Sequence, residues 1–168
     1  MTRFSISFIN RPEYQKFQEE FNKESDRGAA VLGCVYLEGF ITKILKKKLI
    51  GGSYLIKNRT TKQKIDFCKM LGLINNDIIE DLNHILEIRN TFAHDVNFDS
   101  FDDLKISNLC SGLNIIRVIL KSGLNIKIPT PRAKYNIAIG LYILKLEQIL
   151  KRTSKFIEAT DSIILKQD

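Results

Sequence analysis

The spacing of apolar residues along the chain is typical of amphipathic helices rather than of strands. Apolar side chains recur every three or four residues through most of the sequence, which places them on one face of a helix. Prolines stand at positions 12, 129 and 131, so the long stretch between the first two can form uninterrupted helices. A short alternation over residues 4–9 predicts an extended arm, because a single unpaired strand is not stable.

Capping residues and glycines divide this pattern into about six helices. The predicted starts lie near Pro12, Ser25, Thr61, Asn75, Asp102 and Thr130. The predicted ends lie near Glu24, Gly51, Gly72, His94, Gly123 and Thr160. Residues 51–60 are predicted to form a loop. We therefore expect one all-α domain over residues 1–168, with an antiparallel bundle of five or six helices as its core over residues 24–160.

The composition predicts a cytoplasmic protein with its own core. A chain of 168 residues that is 44% hydrophobic suits one domain and needs no disulfides. The cysteines at 34, 68 and 110 are far apart and are expected to be reduced core thiols. We find no signal-peptide pattern and no apolar run that approaches the roughly 18 residues of a membrane span, so no membrane partner is expected.

The charge balance favours an anionic partner. Basic residues number 26 against 19 acidic ones, which gives a formal charge of +7 and favours an anionic partner such as nucleic acid. The run Lys46, Lys47 and Lys48 ends the second predicted helix. It is either a solvated helix end that complements the helix dipole or a patch that faces RNA.

Several familiar kinds of site are missing from the sequence. There is no phosphate loop of Walker type and no nucleophile elbow. His84 and His94 lack partners at metal-ligand spacing, and His84 is expected on the surface. We therefore predict neither metal nor cofactor. Direct DNA recognition is the weakest reading, because no tight turn of helix-turn-helix type is present.

The segment Arg89–His94 is the strongest candidate for chemistry. Arginine offers a planar fork of donors to phosphate, and histidine can exchange a proton near neutral pH. Asn90 could hold the histidine tautomer or cap the helix end. Together, Arg89, Asn90 and His94 could cleave RNA without a metal ion.

Helix geometry limits how this segment can act. Asn90 and His94 share a face, but Arg89 lies about 140° round from His94. The three side chains converge only if the helix frays near His94 or if two copies meet. In the non-catalytic alternative, Arg89 pairs with the neighbours of Glu87 or with Asp81 and Glu24 on the surface, while Asn90 and His94 cap the helix end. Phe92 and Ala93 are expected to point inward in either case.

The string Arg89-Asn90-x-x-x-His94 near a helix end resembles the signature of the HEPN superfamily. The resemblance implies a helical bundle and a metal-independent endoribonuclease of the toxin–antitoxin or phage-defence type. It also implies a homodimer in which two Arg/His sets form one cleft, and an antitoxin or regulatory protein as a further partner.

A longer set of matches resembles the mannitol repressor (MltR-like) family. It comprises Glu24–Ala30, Tyr36–Glu38, Leu71–Ile74, Asp81–Leu82, Ile88–His94 and Thr130–Arg132. The match runs from about residue 24 to about 150 and leaves residues 1–22 outside. It implies an all-α fold and a transcriptional regulator or protein-interaction module without catalysis, which is the alternative to the ribonuclease. Arg27, a matched position, is expected to help Arg89 bind an anion such as nucleic acid, or to pair with Glu38 or Asp81.

Overall fold

The described part of the chain is built from α-helices. The computed structural model describes residues 12–121, 128 and 130–157, and over these residues it has eight helices and no strand. In chain order they are α1 (Pro12–Lys23), α2 (Asp26–Lys48), α3 (Gly52–Ile56), α4 (Thr61–Met70), α5 (Asn76–His94), α6 (Leu104–Gly112), α7 (Asn114–Lys121) and α8 (Pro131–Arg152). The predicted all-α bundle is confirmed, with more helices than expected. The arm predicted over residues 4–9 lies outside the described residues.

α2 is the central helix of the bundle. It packs against α1, α3, α4, α5 and α8. At Gly33 an added Cβ would lie 2.9 Å from the hydroxyl of Tyr135 and 3.0 Å from the ring of Phe21, so glycine lets α1 and α8 approach closely there. Contrary to expectation, α2 is long and apolar enough to cross a membrane by length and composition, a test that core helices also pass.

The neighbours of α2 run in both directions. Arg27 at the start of α2 reaches the end of α5, so these two helices are antiparallel. Tyr135 donates a hydrogen bond to the carbonyl of Ala30 at 2.9 Å, and Lys47 donates to the carbonyl of Leu150 at 2.9 Å. Because both contacts follow chain order, α8 runs parallel to α2. The sequence had predicted an antiparallel bundle. The bundle instead contains a parallel pair, α2 and α8.

A buried carboxylate breaks the helix that was predicted from Asp102 to Gly123. Asp81 is fully buried, and its oxygens accept the backbone N–H groups of Asn114 at 2.7 Å and Ile115 at 2.9 Å. Tyr142 also donates its hydroxyl to Asp81. These bonds fix the start of α7 against α5, so the chain turns at Leu113. Burial raises the pKa of Tyr142, and the hydrogen bond to Asp81 and the charge of Asp81 raise it further.

Local capping chemistry starts the helices where it was predicted. Thr60 and Gln63 form a reciprocal capping box at the start of α4. Asn75 accepts the N–H of Ile78 at 3.1 Å at the start of α5. Thr130 accepts the N–H of Ala133 at 3.1 Å at the start of α8.

Three predictions that depend on distant contacts are wrong. Residues 52–56 of the predicted loop form the short helix α3. α8 ends at Arg152 rather than near Thr160, and the chain turns back so that Phe156 donates its N–H to the carbonyl of Lys48 at 2.9 Å. His84 is partly buried, and its Nδ1 has no hydrogen-bond partner among the described residues.

The cysteines are buried free thiols, as predicted. Burial raises the pKa of Cys68 to about 12. Burial also raises the pKa of Cys110 to about 12, against a smaller lowering by the charge of Lys134. Both thiols are therefore inert core residues.

Candidate functional site

Arg89 points from α5 toward the middle of α2. Its Nη1 donates to Oδ1 of Asn90 at 2.8 Å. Its guanidinium also acts on Cys34 and Glu38, which stand one helical turn apart on α2. Burial raises the pKa of Cys34, and the guanidinium of Arg89 offsets part of that rise. Arg89 therefore faces α2. The non-catalytic alternative had predicted pairing with Asp81 or Glu24, and that pairing is not formed.

Glu38 is the carboxylate around which this region is organised. It accepts hydrogen bonds from Oγ1 of Thr61 at 2.6 Å and from Nζ of Lys64 at 2.6 Å. Burial acts to raise the pKa of Glu38, but the hydrogen bonds from Lys64 and Thr61 and the charges of Lys64 and Arg89 together lower it. Glu38 is therefore ionised at neutral pH. It holds the start of α4 against α2 and faces Arg89.

An open groove of about 400 Å³ lies beside this carboxylate. It is lined by Glu38, Arg59, Thr60, Thr61, Lys62, Leu86, Arg89 and Asn90. The N-terminus of α4 opens onto it and adds partial positive charge. The three cationic side chains face Glu38 and also Asp66, which forms an ion pair with Lys62 at 3.1 Å, so a small net positive charge remains. An arginine fork beside two further cations is an arrangement suited to a phosphate group.

His94 lies outside this groove. α5 stays regular through His94, and the N–H of Asp95 continues the helical pattern to the carbonyl of Thr91 at 3.1 Å. The helix therefore does not fray, and within one chain the structure brings together Arg89 and Asn90 but not His94. His94 is exposed at the helix end.

Of the two residues predicted to point inward, Phe92 does so and Ala93 does not. Phe92 is fully buried and anchors the end of α5 in the core, as expected. Ala93 is exposed, so its predicted inward direction is wrong. Ala93 and His94 therefore form an open surface at the end of α5.

Arg27 has a different role from the one predicted. Its guanidinium donates to backbone carbonyls at the end of α5 and in the loop beyond, those of Phe92, Asp95 and Phe98. The expected pairing with Glu38 or Asp81 is wrong. Arg27 satisfies the carbonyl of Phe92 near the helix end, Asn90 accepts from Arg89, and His94 stands in the last turn of α5.

Arg132, another residue of the longer match, is likewise bound to the scaffold. Its Nη1 forms an ion pair with Asp26 at 2.8 Å, and its Nη2 donates to the carbonyl of Phe21 at 2.8 Å. Asp26 in turn accepts the N–H of Phe101 at 2.8 Å. Arg132 therefore joins α1, α2 and α8 at one end of the bundle.

The lysine run lies at the other end of α2. Lys47 donates to the carbonyl of Leu150, and Nζ of Lys48 stands 4.0 Å from the ring centroid of Phe156. Lys46 is exposed and lies about 12 Å along the helix axis from Glu38, at 1.5 Å per residue. The run is thus separate from the groove but on the same helix.

Sequence reasoning missed the groove residues that α2, α4 and the turn before α4 contribute. Glu38 had a signal, since it is the one acidic residue of the sequence between Asp26 and Asp66 and stands in an apolar helix. Arg59 and Lys62 had none, because their position depends on how α4 packs against α2.

Comparison with known proteins identifies no relative. The chain matches no protein-family model, no curated protein and no solved structure. Over the described residues, no three His, Cys, Asp or Glu side chains are grouped so that they could hold a metal ion. Function is therefore inferred from the residues and contacts described above.

Proposed function

We propose that this chain is a metal-independent endoribonuclease of the HEPN type that acts as a dimer in the cytoplasm. One observation carries the proposal: Arg89 faces a cationic groove while His94 stands exposed at the end of the same helix. Arg27 and Arg132 bind within the scaffold, but His94 has no hydrogen-bond or ion-pair partner among the described residues.

The groove supplies the phosphate contact. Arg89 offers its guanidinium to the phosphate oxygens, and Arg59 and Lys62 extend the positive charge along the rim. Asn90 accepts a hydrogen bond from the guanidinium and the charge of Glu38 acts on it across the groove, so it is oriented before the substrate arrives. Such preorganised charge stabilises the negative charge that develops on phosphorus in the transition state.

His94 supplies the proton transfer. In the proposed reaction the ribose 2′-oxygen forms a bond to phosphorus as the bond from phosphorus to O5′ breaks. A proton leaves the 2′-hydroxyl, and another is delivered to O5′. His94 acts at one of these two oxygens. The products are a 2′,3′-cyclic phosphate and a free 5′-hydroxyl.

A second copy brings the two residues together. Arg89 and His94 leave an unfrayed helix about 140° apart, so they cannot both reach one phosphate within a chain. In a two-fold dimer the Arg89 of one copy faces the His94 of the other, and the contact is repeated by symmetry. Exposed Val31 and Val35 on α2, at 37% and 57% exposure, offer apolar surface on the helix that also carries Cys34, the neighbour of Arg89.

The resemblance of Arg89-Asn90-x-x-x-His94 to the HEPN signature supports a toxin–antitoxin or phage-defence setting for the proposed activity. An antitoxin or regulatory protein would then bind the same exposed surface and block it. RNA is the substrate that the groove charge and the histidine chemistry favour.

The MltR-like alternative is a regulator or interaction module without catalysis. Exposed Val31 and Val35 favour it, because they would equally suit a protein partner. Against it, Arg27 and Arg132 of the longer match serve the scaffold, so matching them indicates a shared fold rather than a shared function.

The test is RNA cleavage by the purified protein in EDTA. We expect wild-type protein to cleave end-labelled RNA and His94→Ala to be slower by about 10²–10⁴-fold, the usual contribution of a general acid or base. Its melting temperature should not change, because His94 is exposed. Asn108→Ala, an exposed polar residue in the middle of α6, is the control and should cleave normally. Full cleavage by His94→Ala would exclude this site.

A further inference from the structure

The ends of α2 and α8 meet in one cationic surface. α2 ends in Lys46–Lys48, and α8 ends in Lys151 and Arg152, followed by Lys155. The two ends touch directly, because Lys47 donates to the carbonyl of Leu150 at 2.9 Å. We call these six basic residues, together with Phe156, the basic end patch.

The helix dipole accounts for part of this charge but not for all of it. Cations in the last turn of a helix are favourable, and each helix alone could carry its own. Parallel packing of α2 and α8, however, brings both cationic ends together, and Lys155 lies beyond the helix. Residues 46–48 and 151–157 contain no acidic side chain, although Glu147 pairs with Lys151 at 2.8 Å. Like charges held this close repel one another, and a bound polyanion would relieve that repulsion.

An aromatic ring stands within the basic end patch. Phe156 is 43% exposed, and its backbone is fixed by the hydrogen bond that its N–H donates to the carbonyl of Lys48. The ammonium of Lys48 lies 4.0 Å from the ring centroid. An exposed ring among cations is the combination by which proteins hold single-stranded nucleic acid, with phosphates on the cations and a base on the ring.

We propose that the basic end patch binds single-stranded RNA next to the groove. This rests on the proposed ribonuclease function, since it supplies a second contact for the same substrate. Lys46 lies about 12 Å along α2 from Glu38, so a strand held on the patch continues toward Arg89 within a few nucleotides. The patch contributes affinity and preference for unpaired RNA, while the groove carries the chemistry.

The first test separates the patch from general charge. Binding of a labelled oligouridylate with 2′-O-methyl riboses, which cannot be cleaved, is measured by fluorescence anisotropy. The patch variant is Lys46→Gln, Arg152→Gln and Lys155→Gln. The control variant is Lys69→Gln, Lys105→Gln and Lys121→Gln, which removes the same charge from exposed lysines elsewhere. Both variants must melt like wild type.

We expect the patch variant to lose at least about tenfold in affinity and the control less than about threefold. The slope of log affinity against log salt should become shallower by about 2 in the patch variant, at about 0.7 for each lost contact to a single strand. Equal losses in both variants, or none in either, would overturn the proposal. So would patch-dependent binding to phosphatidylserine vesicles without any binding to the oligonucleotide.

The second test addresses the ring. Phe156→Leu should weaken binding to the oligouridylate about tenfold, as expected for one lost base stack, and leave binding to duplex RNA unchanged. Equal binding by Phe156→Leu and wild type would exclude stacking. His94→Ala should bind the oligonucleotide like wild type. Patch-specific binding without cleavage by the wild type would therefore refute the ribonuclease and not the patch.

Discussion

Arg89 and His94 lie five residues apart on one uninterrupted helix and face different surroundings. Arg89 donates to Asn90 beside it on α5 and faces Cys34 and Glu38 of α2, whereas His94 is exposed at the helix end. A motif that reads as one unit in the sequence is therefore divided in the folded chain. This division leads to the prediction that two copies complete the site.

The guanidinium of Arg89 is predicted to matter for its shape as well as for its charge. Arg89→Ala should lower RNA cleavage in EDTA by about 10²–10³-fold, the usual effect of removing one preorganised donor. Arg89→Lys keeps the charge but loses the planar fork, so it should recover little of that activity. Arg117→Ala, an exposed arginine on α7, is the control. Wild-type rates for Arg89→Lys would show that charge alone is sufficient.

Glu38 is predicted to make stability depend on pH. Its pKa is lowered in the folded state, so it stabilises the fold above the ordinary value of 4.5 and loses that effect as the pH falls through the lower folded value. Glu38→Gln should cost about 1–3 kcal/mol of the free energy of unfolding at pH 7, because it weakens a hydrogen bond between charged groups. The difference from wild type should shrink below pH 4.5.

The measurement for Glu38 is urea unfolding of both proteins across this pH range. Glu87→Gln is the control, since the Glu87 side chain is 51% exposed and its ion pair with Lys105 spans 3.6 Å. It should stay within about 0.5 kcal/mol of wild type at every pH. A difference for Glu38→Gln that stays constant down to acid pH would contradict the ionised pairing.

Asp81 is predicted to be a structural residue. Asp81→Ala leaves the N–H groups of Asn114 and Ile115 and the hydroxyl of Tyr142 without their acceptor in the core. We expect a loss of roughly 2–5 kcal/mol in the free energy of unfolding, measured with urea. Asp102→Ala, at an exposed position, should change it by less than about 0.5 kcal/mol. A loss equally small for Asp81→Ala would contradict its role at the break between α6 and α7.

Helix starts could be predicted because their causes are local. Thr60, Asn75 and Thr130 each bond to a backbone N–H only three residues ahead, so short-range spacing is sufficient to recognise them. The break at Leu113 could not be predicted in this way. It depends on Asp81, which is more than thirty residues away and meets α7 only after α5 and α7 have packed.

The candidate site divides along the same line. Arg89, Asn90 and His94 were recognisable because their residue types and spacing carry a chemical meaning. The role of Arg27 was not, since its carbonyl partners are offered by the end of α5 and the loop after it. The groove joins residues of three helices, so Arg59 and Lys62 became candidates only once the packing of α4 was known.

Mixing two inactive variants tests the shared site most directly. Arg89→Ala and His94→Ala are purified separately, mixed to allow subunit exchange, and assayed on end-labelled RNA in EDTA. If Arg89 of one copy works with His94 of the other, about a quarter of wild-type activity should return, because half of the dimers are mixed and each mixed dimer keeps one intact site. If the wild type cleaves RNA and the variants exchange subunits, but the mixture shows no cleavage, a site shared between two copies is contradicted.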